Sequence, residues 1–167
     1  DLMTDLNNKA QDSISWWGRH EGASGYRWAF YVNKGSAYYN PGFFWAYTDK
    51  DLNYFSYRWD SVHYDLSEFN YATEKDTWIN WAFTWDGSVG GTGTLKVYKN
   101  NSLVHTLNSV NNTFRADNTN FRVGGETQFN FNEALYVDNF IITEDIPASF
   151  PVEEISRVRI IGADGFP

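Results

Sequence analysis

The run Trp78-Ile79-Asn80-Trp81-Ala82-Phe83-Thr84-Trp85-Asp86-Gly87 alternates in twos. Ile79, Trp81, Phe83 and Trp85 fall on one side. Asn80, Ala82, Thr84 and Asp86 fall on the other. That is the period of a half-buried β-strand, with bulky groups inward and small or polar groups outward. Asp86-Gly87 ends it, because this pair readily takes the φ > 0 geometry of a tight turn. So much aromatic bulk needs a wide opposing surface, which a second sheet about 10 Å away supplies.

The same reading along the chain predicts strands over 13–20, 26–33, 43–48, 54–60, 94–99, 103–107, 121–123 and 134–143. A shorter strand falls near 63–66, inside an otherwise irregular polar passage over 61–76. With Ile14 and Trp16 inward, Ser15, Trp17 and Arg19 face out. In the next strand Trp28, Phe30 and Val32 alternate with Arg27, Ala29, Tyr31 and Asn33. Phe55, Tyr57 and Trp59 share one face, and Tyr54 and Arg58 the other. Turn-forming residues separate these strands, and Asn100-Asn101-Ser102 sits at the tip of a hairpin. Ser88-Val89-Gly90-Gly91-Thr92-Gly93 is the most flexible-looking loop. Weak helical turns are predicted within 1–12 and at 152–155, and 157–161 returns to strand character. Short strands with turn signals at about 8–12-residue spacing predict an all-β antiparallel sandwich rather than βαβ units. No repeat, heptad or second domain is evident, so 1–167 reads as a single domain.

Several of these strands resemble the laminin-G-like domains of the concanavalin A-like jelly-roll superfamily. The 78–87 run is similar to that family's W-x-x-hydrophobic-A-x-T-aromatic-D-G strand. Leu95-Lys96-Val97-Tyr98-Lys99-Asn100 resembles LxLYVNG, with Asn101 where glycine is usual. Phe121-Arg122-Val123-Gly124-Gly125 resembles LRIGG, and Tyr136-Val137-Asp138-Asn139-Phe140-Ile141-Ile142 resembles YIDEVRIY. The 147–155 stretch resembles ALSxEEI, and Ser13-Ile14-Ser15-Trp16-Trp17 resembles FTISFWV. Order and spacing of the pieces cover most of the chain. The chain departs at Leu135, where glycine is usual, and lacks room for the family's first strand. We expect 158–161 to pair at that edge, because an open strand edge invites aggregation. The resemblance implies a concanavalin A-like jelly roll. Many members hold one Ca²⁺ at a loop rim, so Ca²⁺ is a candidate ligand here, through Asp49, Asp51, Asp60, Asp117 or Asp138, with Asp138 first. No cofactor is required by the pattern.

Composition narrows the function. Eight Trp, eleven Tyr and thirteen Phe exceed what one core of this size holds, so at least one aromatic patch is expected outside it. The net charge of −8 disfavours nucleic acid and anionic membranes as partners. Absence of cysteine removes disulfide and thiolate–metal chemistry. No run of about 18 apolar residues exists, so membrane insertion is not expected. The chain opens at Asp1 without a leader, which reads as a piece excised from a longer polypeptide. An extracellular or surface-exposed setting is expected: secreted, cell-surface or virion. There, Asn100-Asn101-Ser102 and Asn111-Asn112-Thr113 match glycosylation acceptors.

Chemistry is sparse. Glycoside hydrolases on this fold set acid and nucleophile at alternate positions of one strand, in E-x-D-x-x-E or E-x-D-x-E. Glu126, Glu133, Asp138, Glu144 and Asp145 lack that spacing, and Glu153-Glu154 are adjacent. His20, His63 and His105 lie far apart in sequence, and each reads as an ordinary strand or surface residue. Gly90-Gly91-Thr92-Gly93 opens no helix and is not a phosphate loop. No enzyme activity is expected.

Binding is better equipped. Sugar C–H faces stack on flat aromatics while Asn, Asp, Arg and Tyr bond their hydroxyls. The candidate ligand-binding residues are Trp17, Arg27, Tyr31, Asn33, Tyr38, Tyr39, Trp45 and Arg58. Trp17 would join Arg27, Tyr31 and Asn33 in one patch if their strands are neighbours. The expected function is a non-catalytic recognition module for a glycan or cell-surface polysaccharide. The alternative is a structural or adhesion domain, as in a viral or phage fibre or an adhesin, packed on neighbouring domains of its polypeptide. A glycan-active enzyme ranks third.

Overall fold

The computed structural model describes residues 11–20, 26–33, 44–49, 54–59, 62–86, 93–110, 120–123, 135–143 and 146–150. Ten strands account for most of them. They are β1 (Gln11–His20), β2 (Tyr26–Asn33), β3 (Phe44–Asp49), β4 (Tyr54–Trp59) and β5 (Val62–Leu66), then β6 (Trp78–Asp86), β7 (Gly93–Lys99), β8 (Ser102–Val110), β9 (Asn120–Val123) and β10 (Leu135–Thr143). One short helix, α1 (Tyr71–Glu74), separates β5 from β6. The first sheet runs β10-β1-β6-β7-β8 and the second β5-β4-β3-β2-β9. Every pairing is antiparallel. The fold is an antiparallel β-sandwich.

β6 sits at the centre of the first sheet, between β1 and β7. Its alternation is unbroken, so the predicted phase holds: Ile79, Trp81, Phe83 and Trp85 are all buried. They meet the second sheet ring on ring. Trp81 stacks on Phe55 with centroids 3.8 Å apart and planes 9° from parallel. Trp85 lies 5.7 Å from Trp59, and Trp16 of β1 meets Phe30 of β2 edge-on at 5.2 Å. Aromatic pairs of this kind stabilise by about 0.5–1.5 kcal/mol beyond the area they bury. The wide rings fill an inter-sheet gap that aliphatic side chains would leave thinner.

Bulges change the phase of three strands. Trp28 pairs with Tyr47, but Phe30 pairs with Ala46, so Ala29 is an extra residue on β2. Ala29, expected outward, is therefore buried in the core beside Phe30. On β10 the pairing steps from Asp138 to Ile141 while β1 advances only from Trp17 to Ser15. Asn139 there has φ 46°, a left-handed value that asparagine tolerates better than most residues. The step leaves Val137, Phe140 and Ile142 packed on the core. A third shift, opposite Val97 and Tyr98, turns the register of β8 around Val104.

That third shift sets His105 across from Val97, a core residue. His105 Nδ1 lies 2.9 Å from the Tyr57 hydroxyl, a hydrogen bond joining the two sheets. Tyr57 also stacks on Tyr64 at 5.0 Å. Burial, with the neighbouring Tyr64 as the lesser cause, pushes the Tyr57 pKa far above its ordinary value of 10.0. The buried phenol thus resists ionisation in the folded chain but not in the unfolded one. Stability from this group is full below about pH 10 and falls as pH rises above it. Alkaline melting curves should show this fall, and Tyr57→Phe should remove part of it; an unchanged alkaline limb in that variant would contradict the assignment.

Short-range chemistry explains two elements. In α1 the Asn70 side chain accepts from the Ala72 N–H at 3.0 Å, while Glu74 accepts from the Asn70 N–H at 2.8 Å. This reciprocal cap, with Lys99 bonded to Glu74 and to the Glu68 carbonyl, holds a helix too short to persist alone. The β7–β8 hairpin turns on Asn100 and Asn101, with φ of 48° and 64°. Two consecutive left-handed residues make a type I′ turn, whose twist suits the flanking strands. Asn101 does what a glycine here could not: its side-chain amide donates to the Phe150 carbonyl at 3.0 Å and accepts from the Phe150 N–H at 2.7 Å. The expectations for 1–10, 152–155 and 157–161 lie outside the described residues.

Candidate functional site

Each sheet turns one face away from the core, and the two outer faces differ. On the first sheet Ser13, Ser15 and Trp17 of β1, Asn80, Ala82 and Thr84 of β6, and Asp138 of β10 are all buried. Several polar groups there are tied down. Ser13 and Thr143 hydroxyls meet at 2.7 Å, and Asn80 donates to the Trp16 carbonyl at 3.2 Å. Phe150, clasped by Asn101, packs on Tyr98 at 5.4 Å. Asp138 accepts from the Asn139 N–H at 2.7 Å. Among the described residues no three His, Asp or Glu side chains converge into a metal-ligand set; Asp51, Asp60 and Asp117 lie outside those residues.

This corrects the expected patch around Trp17. Alternation does place Trp17 on the face opposite Trp16, but only 9% of it is exposed. β1 and β2 also lie in different sheets. Trp17 therefore cannot form one surface with Arg27, Tyr31 and Asn33, because outer faces of opposed sheets point apart.

The second sheet is different. Its pairings put Arg122, Tyr31, Trp45, Arg58 and His63 on one register line, across β9, β2, β3, β4 and β5. At about 4.8 Å per strand the line spans roughly 19 Å. The neighbouring line, Val123–Phe30–Ala46–Tyr57–Tyr64, contains the buried core residues Phe30, Ala46 and Tyr57. The pleat thus assigns the Arg58 line to the outer face. Arg58 is half-buried. The His63 and Asp65 side chains are 46% and 50% exposed. Solvent thus reaches this face at its β5 edge, while Ser56, two residues from Arg58 on the same side of β4, is buried.

Three of the eight candidates, Tyr31, Trp45 and Arg58, thereby fall on one line. Arg27 pairs with Thr48 and Asn33 with Asn120, elsewhere on the same sheet. Tyr38 and Tyr39 lie outside the described residues. Sequence reasoning missed Arg122, His63 and Asp65. The signal for the latter pair was the two-residue Asp60-Ser61 gap between Trp59 and Val62, which fixes the hairpin register.

Asp65 carries a local network. Its Oδ1 accepts from the Ser56 hydroxyl at 2.6 Å and lies 2.9 Å from His63 Nε2. A hydrolytic triad places the imidazole between hydroxyl and carboxylate. Here the carboxylate stands between the other two, and Ser56 has no exposed surface. The arrangement suits positioning of Asp65 and His63 rather than nucleophilic attack.

No family model and no curated protein matches the chain. Similarity to solved structures is clear at the level of fold. The carbohydrate-binding module CBM40 of the Ruminococcus gnavus IT-sialidase, bound to α2,6-sialyllactose, is 14% identical with a TM-score of 0.60. That similarity covers 87% of this chain and 82% of the module. The botulinum neurotoxin serotype D binding domain is 14% identical with a TM-score of 0.56, over 87% of this chain. The leech intramolecular trans-sialidase is 16% identical with a TM-score of 0.57, over 74% of this chain. The chain spans 35% of the toxin domain's length and 19% of the trans-sialidase's. Among the described residues no helix is long and apolar enough to cross a membrane.

Proposed function

We propose that the chain is a non-catalytic carbohydrate-recognition module and that the outer face of its second sheet is the binding surface. The observation that carries this is the register line: two aromatics, Tyr31 and Trp45, side by side and flanked by Arg122 and Arg58. Aromatic faces serve the C–H face of a sugar, and charged or polar neighbours its substituents. Fold similarity to a sialidase carbohydrate-binding module and to a toxin binding domain supports the same reading. So does the resemblance to laminin-G-like domains, and with it a setting outside the cell or on a particle surface. A glycan array probed with the whole chain tests it. Binding to at least one glycan class is expected. A chain that is folded by its melting curve yet binds none would favour the structural or adhesion alternative.

A further inference from the structure

We propose that Asn100, at the tip of the β7–β8 hairpin, is a modification site that carries an N-linked oligosaccharide. Two stretches match the acceptor pattern Asn-x-Ser/Thr. Asn100-Asn101-Ser102 forms the hairpin tip, and Asn111-Asn112-Thr113 lies outside the described residues. The turn gives its two asparagines different tasks. Asn101 commits both side-chain polar atoms to Phe150. Asn100 commits one: its Oδ1 accepts from the Asn80 main-chain N–H at 2.9 Å. A main-chain N–H can meet only an acceptor, so this bond fixes which way the Asn100 amide points. Nδ2, the atom that takes a sugar, is left without a hydrogen bond among the described residues.

Ser102 argues the same way. Turn geometry and the bonds to Asn80 and Phe150 account for both asparagines. They do not account for Ser102, whose exposed side chain bonds nothing among the described residues. A hydroxyl two residues beyond the asparagine, with any residue but proline between, is what sugar transfer to asparagine demands. The tip is open as well: Asn100 and Ser102 are exposed, and Leu103 is 54% exposed. Nor does the product disturb the fold. In the transfer Nδ2 displaces a polyprenyl pyrophosphate from the anomeric carbon of a lipid-linked oligosaccharide and gives up one proton. The amide keeps its carbonyl, so Oδ1 still accepts from the Asn80 N–H, and that part-buried donor stays satisfied. Asn100 lies between β7 and β8 and belongs to neither, so the added sugar leaves from a turn. Such a transfer takes place on a eukaryotic-type secretory route, which fits the setting proposed above and is independent of what the second sheet binds.

Expression of the whole chain behind a secretion leader in a eukaryotic host tests this, with peptide mapping before and after peptide-N-glycosidase, on secreted and retained material alike. The peptide holding Asn100 should carry an oligosaccharide in most molecules, and enzymatic removal should leave aspartate at position 100. Mapping keeps Asn111 apart. Ser102→Ala should lose the Asn100 oligosaccharide while keeping Asn100, its bond to Asn80 and the melting temperature of enzymatically deglycosylated wild type. Ser102→Thr should keep the oligosaccharide, which separates the need for a hydroxyl from any effect of substitution on folding. Asn100→Gln should also lose it, with a lower melting temperature, because the longer side chain fits neither the left-handed turn nor the Asn80 bond. An Asn100 peptide that stays unmodified in wild type would overturn the proposal. So would an oligosaccharide that persists on that peptide in Ser102→Ala.

Discussion

Trp81→Ala is expected to destabilise the chain by roughly 3–5 kcal/mol, the usual cost of emptying a buried tryptophan site. Trp81 is buried on the central strand of the first sheet and stacks on Phe55 of the second. Lys99 lies over its ring at 5.7 Å, so the same substitution also loosens the residue that ties α1 to β7. Neighbours cannot collapse into the hole. Phe55 is fixed in turn by Trp16 at 6.3 Å and Phe83 at 6.0 Å. Domains are stable by only about 5–15 kcal/mol, so the loss takes a large share. At about 2–4 °C per kcal/mol for a chain of this size, the melting temperature should drop by on the order of 10 °C. Thermal and urea unfolding check this, and a shift of less than about 1 °C would remove Trp81 from the inter-sheet contact.

The β6 phase was readable because nothing interrupts it: nine residues alternate without a bulge and stop at Asp86-Gly87. Sandwich architecture followed from spacing alone. Three features resisted for definite reasons. Bulges at Ala29, near Asn139 and near Val104 each insert one residue, which reverses the face of everything beyond them. Sheet membership depends on pairings between distant segments, so β1 and β2, adjacent in sequence, gave no sign of lying in opposite sheets. α1 is a single turn, shorter than a helical period can reveal, although Asn70 and Glu74 carried its capping signal. Trp17 shows the limit most plainly. Alternation tells which side of a strand a residue takes, not whether another part of the chain covers that side.

The second large effect follows from that contrast between outer faces. Trp17→Ala removes a buried tryptophan and should cost roughly 2–4 kcal/mol, less than Trp81→Ala. Its indole Nε1 is buried without a hydrogen-bond partner, so removal also relieves a desolvation cost of about 1–3 kcal/mol. Its effect belongs to stability, and carbohydrate binding below the new melting temperature should be kept. Trp45→Ala should do the opposite. The proposed binding surface requires Trp45 to face solvent, and substitutions at solvent-facing positions usually change stability by less than about 0.5 kcal/mol. Loss of a stacking ring from the proposed platform should weaken glycan binding roughly tenfold or more.

The most direct measurement titrates wild type, Trp17→Ala and Trp45→Ala with one bound glycan, at a temperature where all three are folded. The central claim is that the second sheet's outer face carries recognition and the first sheet's does not. It predicts that Trp45→Ala loses binding at an unchanged melting temperature, while Trp17→Ala keeps binding at a lowered one. Wild-type affinity in Trp45→Ala together with lost affinity in a folded Trp17→Ala would contradict it and move the site to the first sheet.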